Sequence, residues 1–258
     1  MQRVFITGAS SGLGAALARH YAQQGAALGL LARRRELLEQ LRASLPHPER
    51  HRVYAADVMR HDLLAAAAAD FLAGGGVDIV IANAGISHGT LTELDEDLSV
   101  FERIFATNVT ATVATFTPFI GALKQQAAAG RLARLVGIAS VAGIRGLPGA
   151  GAYSASKAAV MSYCESLRVE LRASGIRVVT IAPGYIDTPM TEKNAYPMPF
   201  LMPAERFARS AAKAIARGTS YTVIPWQMGI VAKLLRLLPN TLYDFLFSRA
   251  PHKARSTQ

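Results

Sequence analysis

Seven short apolar runs alternate with helical stretches along this chain of 258 residues. The runs are continuous blocks, not alternations of apolar and polar residues, which is typical of parallel strands buried on both faces. They span Val4–Thr7, Ala27–Ala32, Val53–Ala56, Val77–Ala82, Leu132–Ala139, Val178–Ala182 and Thr222–Ile224. The helical stretches span Ser11–Gln24, Arg34–Ser44, Asp62–Leu72, Leu98–Gln126, Ala152–Ser174 and Pro203–Arg217. The order predicts an α/β fold of Rossmann type, a doubly wound parallel sheet flanked by helices on both faces.

The length fits one domain, and 51% hydrophobic residues suffice for a large core. We place the nucleotide-binding and catalytic part at residues 1–225 and a helical, basic extension of the same domain at 226–258. The chain has one cysteine, Cys164, so no intrachain disulfide can form, and we expect a buried thiol in a cytoplasmic protein. We expect no signal peptide, because MQRVFITG runs directly into a strand, and no membrane span.

A glycine-rich turn, TGASSGLG from Thr7 to Gly14, joins the first strand to the first helix. Glycines at 8, 12 and 14 allow a tight turn and close approach of the backbone to a pyrophosphate, and the helix N-terminus attracts phosphate. The spacing GxxxGxG differs from the commonest dinucleotide pattern, so its place at a strand-to-helix turn carries the prediction.

The second strand ends in Leu31-Ala32-Arg33-Arg34, without the carboxylate that would bind the ribose 2′-hydroxyl of NAD. We therefore predict that NADP(H) is preferred over NAD(H), with Arg33 binding the 2′-phosphate and Ser10 adding a hydroxyl. The alternative is that the arginines are solvated residues opening the second helix, which we favour for Arg34 and Arg35.

Tyr153 and Lys157 lie four residues apart in YSASK, so a helix would place both side chains on one face. A nearby ammonium lowers the pKa of a tyrosine, which is ordinarily about 10. Such a phenol can protonate a developing alkoxide or deprotonate an alcohol. By itself this spacing also fits an exposed pair without function.

Several further motifs occur in a fixed order with these: Ala82-Asn83-Ala84-Gly85, Asn108, Ser140 and Pro183-Gly184. With this set the chain resembles the short-chain dehydrogenase/reductase family, over nearly its whole length to about residue 225. Two positions depart from the family pattern, Ala82 and Ala111, and both affect packing more than chemistry.

The resemblance implies a role for each matched residue. Tyr153 would be the catalytic acid/base, Lys157 would hold the nicotinamide ribose and lower the tyrosine pKa, Ser140 would bind the substrate oxygen, and Asn108 would position a water. Asn83 and Gly85 would lie near the adenosine ribose, and Asp57 with Val58 near the adenine. The full set implied for the cofactor is Gly8, Ser10, Ser11, Gly12, Leu13, Gly14, Arg33, Asp57, Val58, Asn83, Ala84, Gly85, Tyr153, Lys157, Pro183, Gly184, Ile186 and Thr188.

The substrate pocket should be mostly apolar, with Arg145 as the exception. We expect it to be lined by Ile144, Leu147, Tyr185, Met190, Met198 and Phe200. An apolar ketone, aldehyde or secondary alcohol fits, so we predict a carbonyl reductase or alcohol dehydrogenase without a metal. The alternatives are a lipid carbonyl reductase bound to a membrane surface and a non-catalytic NADP sensor. The resemblance also implies a homodimer or homotetramer, with the helices Leu98–Gln126 and Ala152–Ser174 at the interface.

The net charge is +10, but the cations are dispersed and not interleaved with aromatic residues, so we expect no nucleic-acid partner. Beyond Trp226 the chain is apolar with scattered cations and ends in a basic tail, Arg249–Arg255. Residues 226–255 could contact a membrane surface, with Lys233 and Arg236 at the headgroups. The alternative is a helical extension packed on the substrate pocket or on a neighbouring subunit.

Overall fold

A seven-stranded sheet, with all strands parallel, forms the centre of the computed structural model, which describes residues 1–192, 194, 196–248 and 255. The strands in chain order are β1 Arg3–Thr7, β2 Ala27–Ala32, β3 Arg52–Ala55, β4 Ile79–Ala82, β5 Arg134–Ile138, β6 Arg177–Pro183 and β9 Tyr221–Ile224. A separate two-stranded pair joins β7 Ile186–Asp187 to β8 Met202–Pro203. The predicted fold class is confirmed, and each of the seven apolar runs forms a strand of the large sheet.

The strand order is β3-β2-β1-β4-β5-β6-β9, so the direction of winding reverses between β1 and β4. Their register pairs Val4 with Ile79 and Ile6 with Ile81. In such sheets the carboxyl ends on either side of the reversal form a crevice, because the following loops turn away in opposite directions. The glycine turn after β1 and the Asn83 loop after β4 both emerge there.

Helices cover both faces of the sheet. They are α1 Gly12–Gln23, α2 Arg35–Ser44, α3 His61–Ala73, α4 Asp97–Phe105, α5 Ala111–Phe116, α6 Ile120–Ala128, α7 Gly151–Glu170, α8 Ala204–Arg217, α9 Trp226–Leu237 and α10 Asn240–Phe247. One core cluster joins the sheet to α1, α2 and α8 through residues such as Leu17, Leu38 and Phe207. The second joins it to α3, α5 and α7 through residues such as Phe71 and Phe116. All six residues of β2 are buried, as expected for a strand covered on both faces.

The predicted helix Leu98–Gln126 is interrupted twice. A π-helical turn occupies Ala106–Thr110, and a 3₁₀ turn occupies Thr117–Phe119, where Pro118 cannot donate a backbone hydrogen bond. By length and composition alone, Asp97–Ala128 could cross a membrane, since an 18-residue window within it has a mean hydropathy of 1.2. Its buried residues Phe116, Phe119 and Leu123 pack in the core beside the sheet, so it serves as a core segment of the domain.

Candidate active site

The glycine turn between β1 and α1 is shaped by positions that only glycine fits well. Gly8 and Gly12 have φ angles of +66° and +54°, in the left-handed region, and a Cβ at Gly14 would overlap the Gly8 carbonyl oxygen. The first turn of α1 carries no acidic residue, and the Ser11 side chain does not cap the helix. The N–H groups at the start of α1 are thus available to an anion in the crevice.

The Asn83 loop is tied directly to the end of β1. The Asn83 side-chain amide donates to the carbonyl oxygens of Thr7 at 3.0 Å and Gly8 at 3.2 Å. In return, the Thr7 hydroxyl accepts from the backbone N–H groups of Asn83 and Ala84, each at 3.2 Å. Thr7 was not among the predicted site residues, although it opens the glycine motif.

Two arginines line the crevice at the end of β2. Arg33 Nη1 lies 3.9 Å from Asp57 Oδ2, and the Arg33 side chain is 72% exposed. Arg34 Nη2 donates to Ser10 Oγ at 3.1 Å and to Ser11 Oγ at 3.0 Å. The sequence favoured a solvated Arg34, but the side chain bridges the end of β2 to the glycine turn.

Tyr153 and Lys157 lie on α7, one turn apart, at the carboxyl end of β5. Lys157 is buried; its Nζ donates to the Ile138 carbonyl oxygen at 2.9 Å and lies 5.8 Å from the centroid of the Tyr153 ring. Ser140 follows β5 in an extended conformation, and its hydroxyl is hydrogen-bonded to Tyr153. Three of the four predicted catalytic side chains, Ser140, Tyr153 and Lys157, therefore line the same crevice.

Burial controls the protonation of this group. It lowers the pKa of Lys157 from 10.5 to about 8. Burial also raises the pKa of Tyr153 above 10, a change that the hydrogen bond from Ser140 only partly offsets. The sequence predicted a lowered tyrosine pKa, whereas burial is the dominant effect here and raises the pKa of Tyr153, while the Lys157 ammonium donates to Ile138.

Asn108 lies in the π-helical turn and is 1% exposed. Its Oδ1 accepts from the Ile86 N–H at 2.9 Å, and its Nδ2 donates to the Ile86 carbonyl at 3.0 Å and to Ser156 Oγ at 2.9 Å. Ser156 in turn donates to the Tyr153 carbonyl at 2.8 Å. Asn108 thus connects the loop after β4 to the catalytic helix, through a serine that sequence reasoning missed.

The crevice brings together nearly all the residues predicted for the cofactor. Those lining it are Gly8, Ser10, Ser11, Gly12, Leu13, Arg33, Asp57, Val58, Asn83, Ala84, Gly85, Tyr153, Lys157, Pro183, Gly184, Ile186 and Thr188, together with Ser140. Gly14 packs beneath the turn. Lining residues that the sequence did not indicate include Arg34, Met59, Ile86, Arg103, Thr107 and Thr191.

The residues predicted for the substrate pocket are dispersed. Met190 lines the crevice, Tyr185 contacts the ring of Tyr196 at a centroid distance of 6.3 Å, and Asn194 Nδ2 donates to Met198 Sδ. Phe200 was predicted to line the substrate pocket, but it does not line the crevice. It is half exposed and lines a separate surface depression with Leu201 and Trp226. Its φ of +58° belongs to the turn that leads into β8.

Ile144 and Leu147 belong to the segment that follows Ser140. The C-terminal extension contacts this segment through hydrogen bonds and ring packing. Arg145 Nη1 donates to the carbonyl oxygens of Leu235 at 2.6 Å and Leu238 at 2.8 Å, and its guanidinium lies 3.9 Å from the centroid of the Tyr243 ring. Tyr243 donates to the Gly146 carbonyl. Arg145 is therefore engaged by α9 and α10 and is not presented to a substrate.

The basic tail also has a partner where the structure describes it. Arg255 forms ion pairs with Asp97 at 2.9 Å and Glu96 at 3.0 Å, at the start of α4. The rest of the predicted basic tail, residues 249–254, lies outside the described residues. Within the described part of the chain, no cluster of three or more His, Cys, Asp or Glu side chains could hold a metal ion.

Fold and site together define a nucleotide-binding domain of the doubly wound α/β class, with a half-buried tyrosine and a buried lysine beside its glycine turn. The family described as short chain dehydrogenase matches residues 2–197. An uncharacterized oxidoreductase of Myxococcus xanthus is 38% identical over 245 residues, covering 93% of each chain. A sulfoacetaldehyde reductase of Chromohalobacter salexigens is 35% identical over 189 residues, covering 73% of this chain and 74% of its own.

Solved structures agree with the sequence relatives. A 3-ketoacyl-(acyl-carrier-protein) reductase from Brucella melitensis, complexed with NADH, superposes with a TM-score of 0.78 at 28% identity, covering 86% of this chain and 96% of its own. The chain belongs to the short-chain dehydrogenase family and is an oxidoreductase of that family.

Proposed function

We propose that this protein is an NADP(H)-dependent carbonyl reductase or secondary alcohol dehydrogenase that acts on an apolar ketone, aldehyde or alcohol. One observation carries the proposal: Ser140, Tyr153 and Lys157 converge in the same crevice as the glycine turn. A hydroxyl donor, a phenol and a buried ammonium beside a nucleotide site suit proton transfer during hydride exchange at a carbonyl.

The residues present fit a nicotinamide dinucleotide. The turn at Gly8 and Gly12 offers backbone N–H groups without side chains in the way, and the start of α1 carries no competing carboxylate. Asp57 and Val58 line the end of the crevice near β2, while Ile186 and Thr188 line the end near Tyr153. We assign the first end to the adenosine and the second to the nicotinamide.

When bound, the cofactor supplies or accepts the hydride. The chain's own residues manage the charge on the substrate oxygen: the Ser140 hydroxyl and the Tyr153 phenol donate hydrogen bonds to it as negative charge develops. Tyr153 then delivers its proton. Because burial raises the pKa of Tyr153, the phenol is protonated at neutral pH, as the reduction direction requires. Lys157 would hold the ribose hydroxyls of the bound cofactor, and Asn108 positions α7 against the loop after β4.

The preference for NADP(H) rests on charge at the end of β2. Two guanidinium groups line this part of the crevice, and the strand ends without a carboxylate. Asp57, the nearest acid there, lies against Arg33. A 2′-phosphate would receive charge-assisted hydrogen bonds from Arg33 and Arg34, whereas the 2′-hydroxyl of NAD would lack an acidic partner.

Names of relatives do not select the substrate, since a 3-ketoacyl reductase and a sulfoacetaldehyde reductase act on chemically different carbonyls. Our choice of an apolar substrate rests on Met190 in the crevice and on Tyr185, which lies between the lining residues Gly184 and Ile186 in sequence and pairs with Tyr196.

A panel of aliphatic, aromatic, steroid and lipid-derived carbonyls, followed by the absorbance of NADPH, tests this proposal. We expect turnover with apolar members and its loss in Tyr153→Phe, with NADPH binding nearly intact because the phenol hydroxyl is not a phosphate contact. Retained turnover in Tyr153→Phe would contradict the mechanism. NADPH binding without turnover on any carbonyl or alcohol would favour the non-catalytic sensor.

We also infer that the protein is a homodimer or homotetramer through α4 and α7. Leu98 and Phe101 on α4 and Val169 on the long helix α7 are exposed apolar side chains of these two helices. Sedimentation velocity over a range of protein concentrations tests the inference, and a monomer at all concentrations would contradict it.

A further inference from the structure

Helix α9 has one exposed apolar face, which we call the Trp226 face: Trp226, Ile230, Leu234 and Leu237. The spacing of four, four and three residues places these side chains on one side of the helix. Their exposed fractions are 67%, 50%, 60% and 78%, whereas Met228, Gly229 and Ala232 on the other side are buried. The helix is therefore fixed to the domain by one side and presents a row of large apolar residues on the other.

The Trp226 face continues onto the neighbouring surface. Trp226 borders a depression that also contains Phe200 and Leu201, which are 50% and 47% exposed. Contiguous exposed apolar surface of this kind marks an interaction site, because soluble proteins otherwise keep such patches small.

Cations surround this surface without carboxylates between them. The same depression is lined by Arg206, Lys213 and Arg217 of α8. From residue 206 to residue 243 the sequence contains no Asp or Glu, and its cations are Arg206, Arg209, Lys213, Arg217, Lys233 and Arg236. Within the described residues, none of these six forms an ion pair.

We propose that the Trp226 face docks on an anionic phospholipid bilayer. A bilayer surface matches both properties at once: the apolar side chains enter the boundary between headgroups and acyl chains, and the flanking cations meet anionic headgroups. Tryptophan is enriched at that boundary because its ring is apolar and its N–H polar.

A second copy of the chain is the competing occupant. In a two-fold contact each surface meets the same surface of its partner. Arg206, Lys213 and Arg217 would then face a surface that carries the same cations and, over residues 206–243, no acid. Like charges at such short range oppose association, whereas anionic lipid removes the repulsion.

The single tryptophan of the chain is Trp226, so its fluorescence reports on this surface alone. The full-length protein is mixed with vesicles of phosphatidylcholine, or of phosphatidylcholine with phosphatidylglycerol, each with and without brominated acyl chains. With the anionic vesicles we expect a blue shift, quenching by the brominated chains, and weakening as salt is raised. No quenching by anionic vesicles at low salt would overturn the proposal. A blue shift that appears without lipid and grows with protein concentration would show that the Trp226 face binds a second copy of the chain. That result would also overturn the proposal.

Variants that retain Trp226 distinguish the contribution of the apolar side chains from that of the cations. Ile230→Ser with Leu234→Ser, and Lys213→Glu with Arg217→Glu, should each lower the partition coefficient by about tenfold or more, since apolar burial and charge both drive binding. The matched controls are Leu63→Ser, an exposed apolar residue on α3, and Lys124→Glu with Arg172→Glu, exposed cations on α6 and just after α7. These elements pack in the second core cluster, whereas α8 packs in the first. Equal losses in the variants and their controls would contradict a specific face.

Discussion

The ammonium of Lys157 donates to the carbonyl oxygen of Ile138 across 2.9 Å, in the interior of the domain. This bond connects the catalytic helix to the end of a central strand and fixes the position of a charge that the crevice requires. Burial of that charge opposes folding, so Lys157 serves the site at the expense of stability.

The destabilising effect of the buried Lys157 charge should appear in the pH dependence of the free energy of unfolding. The pKa of Lys157 is about 8 in the folded protein and 10.5 in the unfolded chain, so the unfolded state binds more protons between those values. The contribution of Lys157 to the free energy of unfolding therefore rises from about pH 8 to pH 10.5, and below pH 8 its full cost is present.

Lys157→Met should be inactive yet more stable at pH 7 by about 1–3 kcal/mol, because it removes a buried charge and loses only one hydrogen bond. Urea unfolding of both proteins at pH 7 and pH 9.5 measures this, and the stability gap should narrow at the higher pH. A variant that is less stable than the wild type at pH 7 would contradict the assignment.

Replacement of Asn108 should disturb folding as well as turnover. Asn108→Ala removes the partners of the Ile86 N–H and carbonyl in a partly buried position and leaves a cavity at a buried site, which should cost about 2–4 kcal/mol. Ser156→Ala removes one partner of the same amide but keeps both bonds to Ile86, so we expect a loss of about 1 kcal/mol. Thermal unfolding, with kcat and KM measured separately, distinguishes the two. Equal destabilisation by both variants would show that the hydrogen bonds to Ile86 add nothing to the stability beyond the bond to Ser156.

Cofactor choice should depend on both arginines at the end of β2. Arg33→Ala removes an exposed charge from the crevice, so KM for NADPH should rise about tenfold or more while KM for NADH changes little. Arg34→Ala should raise both values, because it also releases Ser10 and Ser11 of the glycine turn.

Arg35→Ala is the matched control, since Arg35 begins α2 and is not among the described residues that line the crevice. Steady-state kinetics with each cofactor checks the three variants. An unchanged ratio of kcat/KM values for NADPH and NADH in Arg33→Ala would contradict the prediction.

The fold was predictable because it depends on local patterns that repeat. Continuous apolar runs such as Ala27–Ala32 indicated buried parallel strands, and that strand begins and ends where predicted. The glycine turn was equally predictable, because the backbone at Gly8 and Gly12 is left-handed and glycine adopts that conformation most readily. The approximate place of the crevice then follows from the strand order alone.

What the sequence did not reveal depends on contacts between distant segments. Arg34 and Arg35 look alike in sequence, and only the tertiary structure places Arg34 against Ser10. The sequence predicted Arg145 as a cation in the substrate pocket, whereas in the structure α9 and α10 bind its guanidinium. The π-helical turn at Ala106–Thr110 contains no proline or glycine that would indicate it in the sequence, and the partners of its Asn108, Ile86 and Ser156, are distant along the chain.

The turn that carries Ser140 should tolerate no side chain at Gly143. A Cβ at Gly143 would lie 2.7 Å from the backbone nitrogen of Ala158 and from the backbone carbon of Lys157, both in the middle of α7. A helix backbone cannot yield at that distance, so the turn must move away and displace Ser140 from Tyr153. Gly143→Ala should therefore lower kcat about tenfold or more and cost about 1–3 kcal/mol of stability, as overpacking typically does.

Gly146→Ala provides the control within the same segment, because a Cβ there would meet nothing within 4 Å and the φ angle is not left-handed. We expect that variant to keep wild-type kcat and unfolding temperature. If Gly143→Ala behaves like Gly146→Ala, the close packing of this turn on α7 is not what positions Ser140. If instead Gly143→Ala loses turnover but keeps cofactor binding, the distance between this turn and the catalytic helix determines the position of Ser140, since residue 143 is not among the described residues that line the crevice and its added methyl group would meet the backbone of α7.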